Sequence, residues 1–309
     1  MSLHSGRLFG HAQRMLDNGQ VEQAMDALIR LLGENPDDGD AHALLSLCLV
    51  RRKRLHAAKL EAQRAAELEP ESVFAHLAMG AVLAARREFV PAEQHLIAAL
   101  ELDPESDSPH AQLARLYTAW SKSAQAMVHA VHACELAAGN PENWALRGSL
   151  DYSAGDRAGA RLHATTALEI DPEHSDALVL IGHCDLAEGD VQSAQEHAVW
   201  ALQADPTEEG ALTLLGAIKA RRSPLLGLWW RFQSLLSAGS NRRMLLLLVG
   251  IYLLYRIVLI ALADNGMEKM VAPLSIAWLA FCAYTWFAPA WFWKSVRREM
   301  QTVSLRDDY

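Results

Sequence analysis

The sequence predicts an all-α chain: about six helix-turn-helix units with a closing helix, then an interfacial helix and two transmembrane helices. Three observations carry this. An Asn/Asp/Glu–Pro pair recurs at Asn35-Pro36, Glu69-Pro70, Asp103-Pro104, Asn140-Pro141, Asp171-Pro172 and Asp205-Pro206, with successive prolines 34, 34, 37, 31 and 34 residues apart. Small residues return in register with these pairs. Beyond residue 243 the composition becomes strongly apolar over two long runs.

Each proline disfavours helix in the residue before it and suits the first turn of the helix that follows, so each is expected to close one unit and open the next. The 37 and 31 nearly cancel: Ala137-Ala138-Gly139 extends the fourth unit, and the fifth starts on its own proline. The clearest unit is Val73 to Ser106. Phe74, Leu77, Met79, Gly80 and Leu83 form one apolar stripe, Arg86-Arg87-Glu88 break it, and Ala92, Leu96, Ala99 and Leu100 form the second. Such a pair cannot bury its own apolar face and needs a neighbour on each side. Ala24, Ala58, Ala92, Ala126, Ala160 and Ala194 sit early in the second helices. Gly80, Gly148, Gly182 and Gly216, with Ser46 and Ala114 in the same place, sit midway along the first, where a small side chain permits close helix approach.

This pattern resembles the tetratricopeptide repeat (TPR) family, whose signature joins a large residue, Leu-Gly and an aromatic in the first helix to Ala, Phe, Ala and a terminal Pro in the second. Trp144 with Gly148 matches best. His42, His76 and His110 take the usual Trp place, and Leu28, Leu96 or Ala stand for the second-helix aromatic. The resemblance covers about Ser5 to Arg222. It implies a TPR solenoid with units near 5–38, 39–72, 73–106, 107–140, 141–174 and 175–208 and a closing helix at 209–222. A linker is then expected at 223–243, a hairpin at 244–293 and a tail beginning with basic residues at 294–309.

In this family the inward faces of the first helices line a concave groove that binds peptides and proteins. Carried onto this sequence, that face comprises Phe9, Gln13, Ala43, Leu47, Val50, Leu77, Ala81, Ala111, Arg115, Ala145, Ser149, Tyr152, Val179, His183 and Leu186. The Lys/Asn/Arg set with which some members clamp a C-terminal carboxylate is absent from these places. The groove is therefore expected to be small and apolar and to suit a helix or extended segment with apolar anchors.

Charge separates the two halves. Residues 1–220 carry 17 Lys/Arg against 32 Asp/Glu, and residues 221–309 carry 11 against 5. An acidic array argues against nucleic acid as partner, since phosphate binding needs a basic surface. Arg51-Arg52-Lys53-Arg54 and Arg86-Arg87 add a local basic strip at two inter-helix turns, either a dock for lipid headgroups or an acidic partner or, as the preferred reading, solvated turns.

No chemistry is expected. There is no Gly-rich phosphate loop, no H-E-x-x-H and no Gly-x-Ser-x-Gly, and the carboxylates follow the repeat punctuation. The chain is read as a non-enzyme without cofactor or metal. Equivalent His42, His76 and His110 in stacked units would lie roughly 10–20 Å apart, too far for one ion, and His129 with His132 offers no evident third ligand. Cys48, Cys134, Cys184 and Cys282 show no paired spacing and read as small core residues of a reducing compartment. MSLHSGRLFGHAQRM has no apolar signal run, so the repeats are expected to stay where they are made.

In the C-terminal third, Leu225–Leu236 groups Trp229, Trp230 and Phe232 around one arginine, a composition suited to the headgroup layer. Met244 to Ala263 is 20 residues with one charge and Met270 to Trp293 is 24 with none, each sufficient for a hydrocarbon core of about 30 Å. Arg242-Arg243 and Lys294, Arg297 and Arg298 flank the pair, and Asp264–Lys269 joins it. The positive-inside rule then places the repeats and both termini in the cytoplasm of a bacterial cell, with Trp286, Trp291 and Trp293 at the inner-membrane interface. Arg256, within the first run, is expected to snorkel outward or to meet an acidic group of another membrane subunit. The leading expectation is a membrane-anchored cytoplasmic adaptor for a protein client. The alternative is an assembly factor or accessory subunit recognising an integral membrane complex through its hairpin.

Overall fold

The computed structural model describes residues 3–204, 208–222, 241–264 and 267–302. Among them are fifteen helices and no strand. The chain divides into two compact units, 1–172 and 173–309.

The first unit holds five antiparallel helix pairs. These are α1 (Leu3–Asp17) with α2 (Val21–Glu34), α3 (Gly39–Arg51) with α4 (Leu55–Leu68), and α5 (Val73–Ala85) with α6 (Phe89–Leu102). They continue with α7 (Asp107–Ala119) and α8 (Ser123–Leu136), then α9 (Pro141–Ala154) and α10 (Arg157–Ile170). Each first helix also packs on the first helix of the next pair. Their shared core alternates small and large side chains, with Ala58, Ala92 and Ala126 fully buried beside Leu28, Leu83, Leu96 and Leu113. Gly80 explains the small-residue register: a Cβ there would stand 2.5 Å from Leu96 Cδ2.

The prolines act differently from the expectation at most joints. Of the described joint prolines only Pro141 opens a helix, with Asn140 Oδ1 accepting from Glu142 N at 3.1 Å. Pro36, Pro70 and Pro104 lie in the connections, and the caps fall just before α3, α5 and α7. Asp38 accepts from Ala41 N at 3.0 Å and Ser72 from Ala75 N at 3.2 Å, satisfying N–H groups that the first turn leaves unpaired.

The turns inside the pairs follow one design. Arg54 N–H bonds Leu49 O while Lys53 N–H bonds Val50 O, and Glu88/Arg87 and Lys122/Ser121 repeat both bonds. This cap needs a left-handed residue, found at Gly19, Lys53, Arg87, Ser121, Gly155 and Gly189. Three of the six lack glycine's freedom there.

The second unit contains α11 (Ser175–Glu188), α12 (Val191–Ala204) and α13 (Glu209–Arg222), followed by α14 (Asn241–Asp264) and α15 (Glu268–Thr302). Gly182 lies against Leu214, whose Cδ2 a Cβ would meet at 2.5 Å, so α13 packs closely on α11. Helices α14 and α15 meet through Tyr255 and Trp278, stacked with ring centres 4.5 Å apart.

The expected pair of transmembrane helices receives no support here. Among the described residues no helix is long and apolar enough to cross a membrane. Of the expected 223–243 linker, residues 223–240 with Trp229 and Trp230 lie outside the described residues and 241–243 belong to α14; the side chains of Trp286, Trp291 and Trp293 also lie outside.

Candidate functional site

The face expected to bind a client is only partly open. In the first unit Phe9, Leu47, Val50, Leu77, Ala81 and Tyr152 are half-buried, and Gln13, Arg115 and Ser149 are exposed. Ala43, Ala111 and Ala145 are buried and contribute shape rather than contact. Phe9 meets Phe74 edge-on, with ring centres 6.3 Å apart, and Leu47 and Leu77 pack onto the core beneath. Arg115 Nη2 donates to Glu142 Oε1 at 2.5 Å, so its charge is already matched by the next repeat.

In the second unit Val179, His183 and Leu186 are half-buried on α11. Val179 packs against Gly210 at the start of α13, and the Leu186 carbonyl accepts a bond from Arg221. Burial holds His183 below the ordinary histidine range.

The histidines in the Trp place do more than fill volume. His42 Nε2 bonds Pro36 O at 2.9 Å and His76 Nε2 bonds Pro70 O at 3.0 Å. Trp144 Nε1 donates to Ala138 O at 2.8 Å over the same six-residue span. Both ring types therefore tie a first helix to the connection that precedes it.

A second column of partners was not anticipated. Nineteen residues after each of these rings stand Glu61, His95, His129 and His163, on the second helix of the same pair. His42 Nδ1 meets Glu61 Oε2 at 2.6 Å, His76 Nδ1 meets His95 Nδ1 at 3.0 Å, and His110 Nδ1 meets His129 Nδ1 at 2.9 Å. At Trp144 the ring stacks on His163, whose Nδ1 turns instead to Asp151 Oδ2 at 2.6 Å. The second unit repeats that choice with His197 and Asp185 at 2.9 Å. The available signal was the 34-residue spacing of His95, His129, His163 and His197, three positions after the recurring alanine.

His110 also lies against His132, with ring centres 5.3 Å apart, so a third imidazole does stand near His129 and His132. Even so, among the described residues no group of three or more His, Cys, Asp or Glu is arranged to hold a metal ion. Cys48, Cys134 and Cys184 are buried as expected, and burial pushes the Cys48 and Cys134 thiols up to about 11. Cys282 is exposed, contrary to its reading as a core residue, because it lies on the hairpin rather than in the array.

No protein-family profile matches the chain, and no curated protein matches its sequence. Solved structures do. A tetratricopeptide repeat protein from Parabacteroides merdae aligns at TM-score 0.58 and 15% identity over 70% of this chain and 85% of its own. A TPR protein of Thermus thermophilus aligns at 0.55 and 19% over 59% and 99%. The fold is of the TPR type. The chain also matches the Cut9–Hcn1 hetero-tetramer of the APC/C at TM-score 0.55 and 16% identity, with 68% of this chain against 42% of the matched one. At these identities the likeness concerns the fold alone.

Proposed function

We propose that this chain is a protein-binding scaffold that holds a client segment on its first-helix face and is fixed to a bacterial inner membrane by the α14–α15 hairpin. Its repeats and both termini lie on the cytoplasmic side, and no catalytic step or cofactor is involved. The observation that carries the client reading is the surface left by the TPR-type fold: Leu47, Val50, Leu77 and Tyr152 present half-buried apolar area between exposed Gln13 and Ser149. Such a surface offers anchor sites for apolar side chains of a helix or extended segment. Among the matched structures, the Cut9–Hcn1 protein is itself crystallised as part of a multiprotein assembly.

Membrane attachment rests on a separate observation. Leu254, Ile257, Ile276 and Leu279 are each more than 60% exposed on the hairpin, an apolar surface that water solvates poorly and lipid would cover. Tethering would raise the local concentration of a client without demanding tight binding.

The test changes Leu47, Leu77 and Tyr152 to charged residues in the full-length chain and compares crosslinked partners recovered from membranes in mild detergent. The reading expects the altered chain to stay in the membrane fraction and to lose a soluble partner. Retention of every partner would remove the groove from the account.

One observation favours a second reading. Arg256 is exposed among Leu253, Leu254, Ile257 and Val258, and a cation in such apolar surroundings calls for an acidic partner. In that reading the chain is an accessory subunit or assembly factor of an integral membrane complex. Exchanging the hairpin for an unrelated one separates the two, because an adaptor keeps working and a subunit does not.

A further inference from the structure

The column of rings divides the first unit by charge chemistry. His42 and His163 each meet a carboxylate, Glu61 and Asp151. His76, His95, His110 and His129 meet one another instead, and among the described residues none of these four lies within 4.0 Å of a carboxylate. The hydrogen positions of one pair follow from its neighbours. His76 Nε2 faces the Pro70 carbonyl, which can only accept, so that nitrogen carries the hydrogen. Its Nδ1 is then the acceptor, and His95 Nδ1 donates across the 3.0 Å gap. One added proton is accommodated, the charged ring donating to the Nδ1 of its neutral partner, but charging both rings sets N–H against N–H. His110 and His129 face the same limit at 2.9 Å.

We propose that the two central repeats, α5–α6 and α7–α8, form an acid-sensitive joint. Protonation of the second imidazole in either pair pushes the first helix from the second, while the His–carboxylate repeats on either side hold. This goes beyond the scaffold reading and does not depend on it. Groups facing the rings from the packed elements leave the limit in place. Tyr117 of α7 stacks on His129 and directs its hydroxyl to Glu93 of α6. Lys122, preceding α8, sits over the Tyr117 ring and adds positive charge. Glu135 of α8 pairs with His132, at 3.1 Å. From α3, α4 and α9 no carboxylate comes within 4.0 Å of the four rings.

The direction of titration agrees. Burial, then His76, holds His95 below 6.5. Burial, then His132, does so for His110, and burial, then His110 and His132, for His129. A depressed histidine favours the neutral ring in the fold, so its stabilisation is complete above the ordinary value and is lost as pH falls through the folded one.

The test is hydrogen–deuterium exchange of the full-length chain in detergent micelles at about pH 7.5 and 5.5, corrected for intrinsic exchange. Amides of α5–α8 should lose protection at the lower pH, while α3, α4, α9 and α10 hold. His95→Glu gives the third repeat the His–Glu pair of the second, and should abolish the acid response of α5–α6 while α7–α8 keeps theirs. His129→Gln, which cannot charge, should abolish it in α7–α8 alone and decides the matter if His95→Glu does not fold. Equal acceleration across all ten helices, or an unchanged acid response in these variants, would overturn the proposal.

Discussion

Gly80 and Leu96 share one space: a Cβ on the glycine would lie 2.5 Å from Leu96 Cδ2 and 2.7 Å from Cγ. Both residues are buried, with Leu96 1% exposed, so the leucine has little room to yield. Gly80→Ala should therefore cost about 1–3 kcal/mol, the usual penalty of overpacking, and Gly80→Ala with Leu96→Val should recover part of it. Denaturant midpoints of the two variants check this. A neutral Gly80→Ala would mean the pair is packed more loosely than described.

The left-handed position offers the opposite sign. Lys53 has φ 57° where the equivalent residues of other repeats are Gly19, Gly155 and Gly189. Lys53→Gly relieves a left-handed side chain at the expense of extra freedom in the unfolded chain, and should stabilise by about 0.5–1 kcal/mol. The same change at half-buried Lys59 would remove its 2.7 Å bond to Glu88 and put glycine in a helix interior, and should destabilise.

Asp151 and His163 form the buried polar pair of the fifth repeat, 2.6 Å apart with side chains 12% and 11% exposed. Removing one partner strands the other. Asp151→Ala should lower stability by about 3 kcal/mol, while Asp151→Asn, which keeps an acceptor oxygen, should cost less. Thermal melts of the two variants separate hydrogen bonding from charge.

These relationships mark where the sequence is legible. The prolines, the recurring alanines and Gly80 specify repeat length and helix contacts through local periodicity, and the helices follow them. The His76–His95 and Asp151–His163 pairs were not legible. Their partners lie on different helices, and which ring turns to which neighbour depends on how closely two helices pack. The switch from His–His to His–Asp at Trp144 is a case: a bulkier indole takes the ring face, and the imidazole edge turns to Asp151. The candidate groove was legible only as a register. Burial then removed Ala43, Ala111 and Ala145 from it.

Alkaline titration gives a further check. Tyr117 is 5% exposed, and burial, with its bond to Glu93 at 2.6 Å, pushes its hydroxyl up to about 12. A raised folded value means the contribution is whole below the ordinary value of 10.0 and is lost as pH rises toward the folded one. The absorbance of ionised tyrosine should show one slow component near pH 12 that Tyr117→Phe removes. The variant should also lose about 1 kcal/mol at neutral pH, the usual net worth of a hydrogen bond.

The central claim is that the first-helix face holds a protein client. The most direct measurement places a photo-crosslinking residue in the full-length chain in cells, at Leu47, Leu77 or Tyr152 on that face, and at exposed Leu60 or Leu162 on second helices. The account predicts one shared adduct from the first three positions and none from the last two. An adduct confined to Leu60 and Leu162, with none from Leu47, Leu77 or Tyr152, would contradict it.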